Sequence, residues 1–251
     1  NICQKYDIWM HVDACWGGSA VFGRDSNAQL GALTKGIELA NSISFDAHKL
    51  LSTGLLCGCL LINDESYLYK SCEPPNAKYL FHGSDDGNNY DIGSKTLQCG
   101  RQCDALKLYL SWLYYGKNGL SQRVLNGLQN AQYLCQQIGK SDDFLLVQDP
   151  MFCNVCFWYI GNVDKKQRDA IKLWKESAFD HVQCDEDTRT MLETTTKEIH
   201  CKLQVQSNSM VDYSPCKGLP SFFRMITSNF RLTHQSVDGI LNDIRAAATV
   251  H

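Results

Sequence analysis

The sequence lacks an excess of positive charge. It has 24 Lys and Arg against 27 Asp and Glu in 251 residues, which gives a net charge of −3. Without a broad basic field, a protein has little electrostatic attraction for nucleic acid or for an anionic membrane surface. We therefore expect neither as a partner.

Long apolar runs are also absent. No stretch reaches the roughly 18 residues needed to cross a bilayer, and the opening segment NICQKYDIWMHVD has no basic flank followed by an apolar signal core. These features predict a soluble, cytoplasmic protein. Because the chain begins with Asn rather than Met, we also expect it to be a fragment that lacks the N-terminal part of a longer protein.

Cysteine, by contrast, is abundant, with 13 residues. Most lie inside apolar runs of a long chain, which is typical of a reducing compartment. The chain contains three close-spaced pairs, namely Cys57 with Cys59, Cys99 with Cys103, and Cys153 with Cys156. Structural zinc sites use such pairs outside regular strands. Because LLCGCLLI and CNVCFWYI are typical of buried strands, we predict core thiols here and no metal.

The first half of the chain has the pattern of an α/β fold. Short apolar segments at 7–13, 41–46 and 57–62 are separated by glycines and polar stretches, which predicts buried strands. Long helices follow from Gly100, with Leu106, Leu110 and Leu113 on one face. The apolar repeat at three and four residues continues at Leu120, Val124, Leu128, Ala131, Leu134 and Ile138.

The second half predicts a smaller α+β domain. Strands are expected at 152–160 and 221–228, with a charged helix around 164–181 between them. A final helix capped by Thr233 has its apolar face at Val237, Ile240, Leu241 and Ile244. The stretch 182–200 is either a helix with uncertain ends or a surface insertion. We therefore predict a larger domain at 1–145 and a smaller one at 146–251.

Asp13 and Lys49 are candidate functional residues because each follows a predicted strand. Ligands of an open α/β sheet bind at the carboxyl ends of its strands, so the two side chains could face one pocket. A turn-forming aspartate and a solvated lysine are the alternatives. A lysine in apolar surroundings is held as a neutral, nucleophilic amine. With a carboxylate facing it across a cationic ring, it has the chemistry needed to bind pyridoxal 5'-phosphate.

Several short motifs, separated along the chain, resemble those of a known family. The segments HVDACWGG, DAHKLL, YLF, LQCGRQCDALKLYLSW, NVCFWYI and FFRMITSN occur in this order over about residues 6–247. In order and spacing they resemble the group II pyridoxal-phosphate decarboxylases, in the branch that acts on glutamate, cysteine sulfinate and aspartate. The resemblance implies a large-domain fragment of the fold type I transferases, the aspartate-aminotransferase-like fold, with a C-terminal α+β small domain. It also implies a homodimer when the protein is full length.

The resemblance assigns four residues to the cofactor. Lys49 matches the lysine that bonds to the cofactor's aldehyde, and Asp13 matches the carboxylate paired with its pyridine nitrogen. Cys15 stands where the family has a small residue under the ring. His48 matches a histidine beside the phosphate, with a satisfied loop histidine as the alternative.

Two further residues are implied for catalysis and substrate binding. Tyr79 matches a tyrosine at the start of the mobile catalytic loop, about 79–95, which protonates the substrate carbon in the neighbouring subunit's site; a packed aromatic is the alternative. Arg224 matches the arginine that binds a substrate carboxylate, with an ion-pair partner as the alternative.

The sequence departs from the family pattern beside both motifs. Asp46-Ala47-His48 stands where the family has Asn-Pro-His, and Ser94 stands where an aspartate is expected. Losing the proline releases a backbone dihedral angle and restores an N–H donor.

The expected function is decarboxylation of a small acidic amino acid at its α-carbon. Cysteine sulfinate or aspartate, giving hypotaurine or β-alanine, comes first, and glutamate, giving GABA, second. Two alternatives remain. The protein could be a catalytically impaired paralogue that serves as a dimer partner, or a pyridoxal-phosphate enzyme of another reaction type.

Overall fold

The computed structural model describes residues 2–72, 92–98, 100–179, 184–206 and 209–249. The chain divides into two compact units, Asn1–Ser121 and Gln122–His251. The domain limits expected from the sequence, 1–145 and 146–251, remain a prediction of the organisation of the protein.

The first unit contains a three-stranded sheet in the order β1-β2-β3. Its strands are β1 (His11–Asp13), β2 (Ser42–Asp46) and β3 (Gly58–Ile62). Strand β1 runs parallel to β2, whereas β3 is antiparallel to β2. The predicted strand at 7–13 is thus reduced to its last three residues, and Ile8 and Trp9 before it are exposed.

Short helices precede, separate and follow these strands along the chain. The α-helices are α1 (Ile2–Lys5), α2 (Ala28–Leu33) and α3 (Ser66–Cys72), and the 3-10 helices are Gly17–Gly23, Ile37–Leu39 and Ile92–Lys95. Helix α2 begins at a side-chain cap, because Asn27 Oδ1 accepts the N–H of Leu30 at 3.1 Å. Leu30 is fully buried and anchors this helix.

The long helix α4 spans Asp104–Lys140 and is interrupted at Gly116, where φ is 61°. A positive φ is a backbone conformation that glycine adopts at little cost. The apolar repeat after the interruption is buried, as expected, from Leu120 to Ile138. The expected face before it is not buried: Leu106, Leu110 and Leu113 are about half exposed or more.

The second unit contains a four-stranded antiparallel sheet in the order β4-β5-β7-β6. Its strands are β4 (Phe144–Leu146), β5 (Asn154–Tyr159), β6 (Asp212–Cys216) and β7 (Leu219–Ile226). Its further helices are α5 (Lys165–Glu176), α6 (Glu186–Gln206) and α7 (His234–Thr249). Helix α6 resolves the ambiguous stretch 182–200 in favour of a helix over its described part.

Apolar side chains cover both faces of this sheet. Alternate residues of a strand point to opposite faces. Phe157 and Phe223 accordingly join one buried cluster with residues of α7, whereas Trp158 and Phe222 join another with Trp174 of α5. The predicted cap of α7 is present, because Thr233 Oγ1 accepts the N–H of Ser236 at 3.2 Å. None of the helices in the described ranges has both the length and the apolarity needed to span a membrane.

Candidate active site

The parallel pairing of β1 and β2 brings the predicted site residues of the first unit together. Asp13 is in register with Ser44, and the pairing continues beyond β1, where the N–H of Asp46 donates to the carbonyl of Cys15 at 3.1 Å. The turn that carries Lys49 begins at Asp46, since the N–H of Lys49 donates to its carbonyl at 3.2 Å. The Asp13 carboxylate is close enough to Lys49 for its negative charge to help raise the pKa of the amine. Asp13 and Lys49, each of which follows a predicted strand, thus lie at the same end of two neighbouring parallel strands.

Asp13 is held as a carboxylate. Its Oδ1 accepts the backbone N–H of Cys15 at 3.1 Å and the hydroxyl of Ser44 at 3.3 Å. These bonds, the one from the Cys15 backbone first, hold the pKa of Asp13 below its ordinary value of 3.8. Hydrogen bonds to a charged form favour that form. The side chain is therefore an oriented negative charge at neutral pH.

A row of polar side chains on the same two strands supports Asp13. Ser44 donates its hydroxyl hydrogen to Asp13, so it accepts from His11 Nε2, 3.4 Å away. His11 Nδ1 then accepts from Ser42 Oγ at 2.8 Å, and Ser42 Oγ accepts from Trp9 Nε1 at 2.9 Å. This assignment of hydrogens gives each contact a donor and an acceptor. The row was not recognised in the sequence, where its signal is the alternation of polar residues in HVD and SIS.

Lys49 does not lie in the apolar pocket that the sequence predicts for it. Its Nζ lies 2.8 Å from Asp46 Oδ2, and its side chain is 37% exposed. The hydrogen bond to Asp46 raises the pKa of Lys49, and the charges of Asp46, Cys15 and Asp13 act in the same direction. The amine is therefore an ammonium ion, not the neutral group that an apolar pocket would produce. Leu50 and Leu51, which suggested such a pocket, point into the core and are fully buried.

His48 presents one ring nitrogen. Its Nδ1 accepts the backbone N–H of Cys57 at 3.1 Å, so the neutral ring carries its hydrogen on Nε2. Ala47 before it is fully buried and takes two backbone bonds: its N–H donates to the Cys57 carbonyl, and its carbonyl accepts the N–H of Thr53. The restored N–H at the position of the family's proline is thus used to hold the turn.

Arg224 belongs to the second unit, on strand β7. Its partners in register are Cys156 of β5 and Asp212 of β6, and its side chain is exposed. Its guanidinium makes no hydrogen bond or salt bridge to another residue of the described part of the chain. The alternative of a structural ion-pair partner therefore has no support among those residues.

The remaining candidates have different outcomes. Tyr79 and most of the predicted catalytic loop lie outside the described residues, as does Cys99. Ser94 is fully buried in the 3-10 helix Ile92–Lys95.

Cys57, Cys153 and Cys156 are buried, but Cys103 is exposed, contrary to the expectation for a core thiol. Over the described ranges, no group of three or more His, Cys, Asp or Glu side chains is placed to hold a metal ion.

Residues 1–160 match the conserved domain of the pyridoxal-dependent decarboxylases. The chain belongs to this family. Human cysteine sulfinic acid decarboxylase is 34% identical over 248 residues, which cover 97% of this chain and 46% of that protein. Bovine acidic amino acid decarboxylase GADL1 is 32% identical over 245 residues, which cover 97% of this chain and 43% of that protein. The chain thus spans somewhat less than half the length of these relatives.

Solved structures confirm the fold class. The crystal structure of mouse CSAD matches with a TM-score of 0.81 at 30% identity, over 98% of this chain and 47% of that one. The crystal structure of Oryza sativa TDC with PLP and tryptamine matches with a TM-score of 0.76 at 22% identity, over 99% and 46%. The chain is therefore an α/β fragment of fold type I with a C-terminal α+β part, as predicted.

The cofactor of this family is pyridoxal 5'-phosphate, and the residues of the first unit fit it. The cofactor has a ring nitrogen that takes a positive charge, an aldehyde and a phosphate. Asp13 is an oriented carboxylate, Lys49 is an amine, and His48 has a free Nε2–H donor within the described residues. One side chain is thus available for each functional group of the cofactor.

Proposed function

We propose that this protein catalyses the pyridoxal-phosphate-dependent α-decarboxylation of a small acidic amino acid. The observation that carries the proposal is the pairing of β1 with β2, which brings the Asp13 carboxylate and the Lys49 amine to the same end of one sheet. Family membership supports the reaction class, because the matched domain is that of decarboxylases.

Asp13 would act on the ring nitrogen of the cofactor. Its charge is oriented by the Cys15 N–H and the Ser44 hydroxyl, so it can hold that nitrogen protonated. When bound, the cofactor supplies an electron sink for the electron pair that is released as the carboxylate carbon leaves. Replacing the carboxylate would weaken both binding and that withdrawal of electrons.

Lys49 and His48 would hold the aldehyde and the phosphate. Lys49 must lose its proton before it can attack a carbonyl carbon, because only the neutral amine is nucleophilic. His48 can donate Nε2–H to a phosphate oxygen while Nδ1 stays bonded to Cys57. Tyr79 is proposed, from the family resemblance, to return a proton to the substrate carbon.

Arg224 would bind a carboxylate of the substrate. A planar guanidinium forms paired hydrogen bonds with a carboxylate, a geometry that lysine cannot reproduce. Its exposure and its lack of a partner among the described residues leave those donors available.

The proposed substrates are cysteine sulfinate or aspartate first and glutamate second. The names of two relatives support the acidic class, since one is a cysteine sulfinic acid decarboxylase and the other an acidic amino acid decarboxylase. We also propose that the full-length protein works as a homodimer in the cytoplasm.

The test uses the purified full-length protein with pyridoxal 5'-phosphate and each of the three acidic amino acids. Carbon dioxide and the corresponding amine should appear in equal amounts. Lys49→Ala should reduce the rate by about 10²–10⁴-fold or more, whereas Lys117→Ala, at an exposed lysine paired with Asp25, should not.

Two other results would contradict the proposal. Transfer of the amino group to a keto acid without release of carbon dioxide would indicate another reaction type. Bound cofactor without turnover of any of these substrates would indicate an impaired paralogue.

A further inference from the structure

The ion pair between Asp46 and Lys49 stands at the position where the sequence departs from its family. Asp46 is the last residue of β2 and Lys49 lies three residues later, with Asp46 Oδ2 2.8 Å from Lys49 Nζ. The family pattern that the sequence resembles usually has a neutral asparagine at the first position, and a neutral amide could not form an ion pair.

The packing around Asp46 fixes the place of its carboxylate. Gly58 of β3 is its partner in register, and a Cβ on Gly58 would lie only 2.6 Å from Asp46 Oδ1. No side chain therefore separates the carboxylate from the β3 backbone. The carboxylate is also mostly buried, since its side chain is 20% exposed.

Covalent capture of a carbonyl compound requires this ion pair to open. The Lys49 ammonium must release one proton, to Asp46 or to water, before Nζ can attack. The nitrogen then forms a double bond to the carbonyl carbon, and the carbonyl oxygen leaves as water with the two remaining hydrogens of the amine. No oxidant or reductant takes part in this step.

We propose that Asp46 is a positioning residue for Lys49, which holds the amine protonated and directed away from attack until the ion pair opens. The part of this proposal that concerns the cofactor rests on the function proposed above. The ion pair itself does not, because it lies within the described residues of the first unit.

The other ionisable groups around the pair do not replace Asp46. Asp13, the last residue of β1, acts on Lys49 by its charge alone, whereas Asp46 also accepts the hydrogen bond of Lys49; the thiol near the pair after β1 is that of Cys15. His48 in the turn is bonded to the Cys57 backbone. Cys57 and Cys59 from the β3 side carry thiols whose pKa burial raises, so they remain neutral.

The first experiment measures the reactivity of Lys49 in the cofactor-free protein. Each variant is labelled briefly with acetic anhydride over a range of pH, and the Lys49 and Lys117 peptides are quantified by mass spectrometry. An ion pair whose lysine is more than a third exposed, as Lys49 is, shifts such an equilibrium by about two- to fivefold. Asp46→Asn should therefore label Lys49 about two- to fivefold faster below its midpoint, with the midpoint moved to lower pH.

Two further variants make this result specific. Asp104→Asn removes a similar pair, since Asp104 lies three residues before Lys107 with its Oδ1 2.6 Å from Nζ, and it should leave Lys49 unchanged. Asp46→Glu keeps the charge and should restore slow labelling. The same pH profile for Lys49 in the wild type and in Asp46→Asn would overturn the proposal.

The second experiment adds pyridoxal 5'-phosphate and traps the adduct on Lys49 with borohydride after increasing times. Asp46→Asn should form the adduct faster than the wild type at neutral pH, and an equal rate would overturn the role in cofactor capture. If labelling differs between the variants but none forms an adduct, the proposed function fails while the ion pair retains its effect on Lys49.

Discussion

The two sheets of this chain differ in how their faces are covered. In the four-stranded sheet, all residues of β5 from Val155 to Tyr159 are buried, and apolar clusters lie on both faces. In the three-stranded sheet, β1 exposes His11 and Asp13, and β3 exposes Leu60 and Leu61. The first arrangement stabilises a fold, whereas the second keeps titratable groups accessible. The four-stranded sheet therefore carries most of the apolar packing, whereas the three-stranded sheet carries Asp13 with its side chain exposed.

The largest expected effect concerns the four-stranded sheet, which has apolar clusters on both faces and is called the covered sheet below. Phe223→Ala removes a fully buried ring that packs against Phe157 at a centroid distance of 5.6 Å. We expect a loss of about 3–5 kcal/mol in the free energy of unfolding, because the cavity left behind cannot be filled. Chemical denaturation followed by tryptophan fluorescence would measure this loss.

Leu60→Ala in the other sheet is the matched control. Its side chain is more than half exposed, so its removal should change the unfolding free energy by no more than about 0.5 kcal/mol. Equal losses in the two variants would show that the sheets do not differ as described.

The second prediction concerns the three-stranded sheet, in which the side chain of Asp13 is exposed. Asp13→Asn keeps the size of the side chain but removes the charge that we propose to pair with the ring nitrogen of the cofactor. The dissociation constant of pyridoxal 5'-phosphate should rise by about 10–100-fold, while stability changes little. Fluorescence quenching by the cofactor would measure affinity, and Asp25→Asn, at an exposed surface carboxylate, is the control.

The pH dependence of that binding has a defined sign. The pKa of Asp13 is depressed in the folded chain, so its carboxylate stays charged above the ordinary value of 3.8. Its contribution to cofactor affinity is then fully present at neutral pH and is lost only as the pH falls through the depressed pKa. A loss of affinity between pH 8 and 6 would have to come from another group.

The sequence predicted elements with strong apolar periodicity better than short or polar ones. Strands β2, β5 and β7 and helix α7 lie where they were expected. Strand β4, of three residues, is too short to show a period. Strand β6 contains Pro215, which is found in edge strands and argues against a strand in a sequence pattern.

Within the site, positions were predictable but surroundings were not. Parallel pairing puts the ends of β1 and β2, and with them Asp13 and the turn that carries Lys49, at the same edge of the sheet, and this follows from topology alone. The charge state of Lys49 depends on its surroundings in three dimensions: Leu50 and Leu51 are fully buried, whereas Lys49 is 37% exposed and paired with Asp46. The contacts among His11, Ser42 and Ser44 depend on strand register, which cannot be derived from the composition of either strand.

The third prediction asks whether the covered sheet also carries a substrate contact. Arg224→Lys keeps the charge on β7 but loses the paired donors of guanidinium. We expect KM for the acidic substrate to rise about tenfold with a smaller change in kcat, since the lost interaction binds the substrate in the ground state. Steady-state kinetics would measure both constants.

Arg231→Lys provides the control for this variant, because Arg231 is an exposed arginine over the ring of Phe230 in the same unit. An unchanged KM in Arg224→Lys would leave the second sheet with a structural role alone.

The smallest expected effect concerns how the helix that covers the second sheet begins. Thr233→Ala removes the oxygen that accepts the N–H of Ser236, which should lower the unfolding free energy by about 1 kcal/mol. Thr233→Ser retains an acceptor and should recover most of that loss in the same denaturation assay. If both variants lose the same amount, the methyl group rather than the cap stabilises α7. Apolar packing, rather than a backbone hydrogen bond, would then stabilise the start of the helix that packs on the four-stranded sheet.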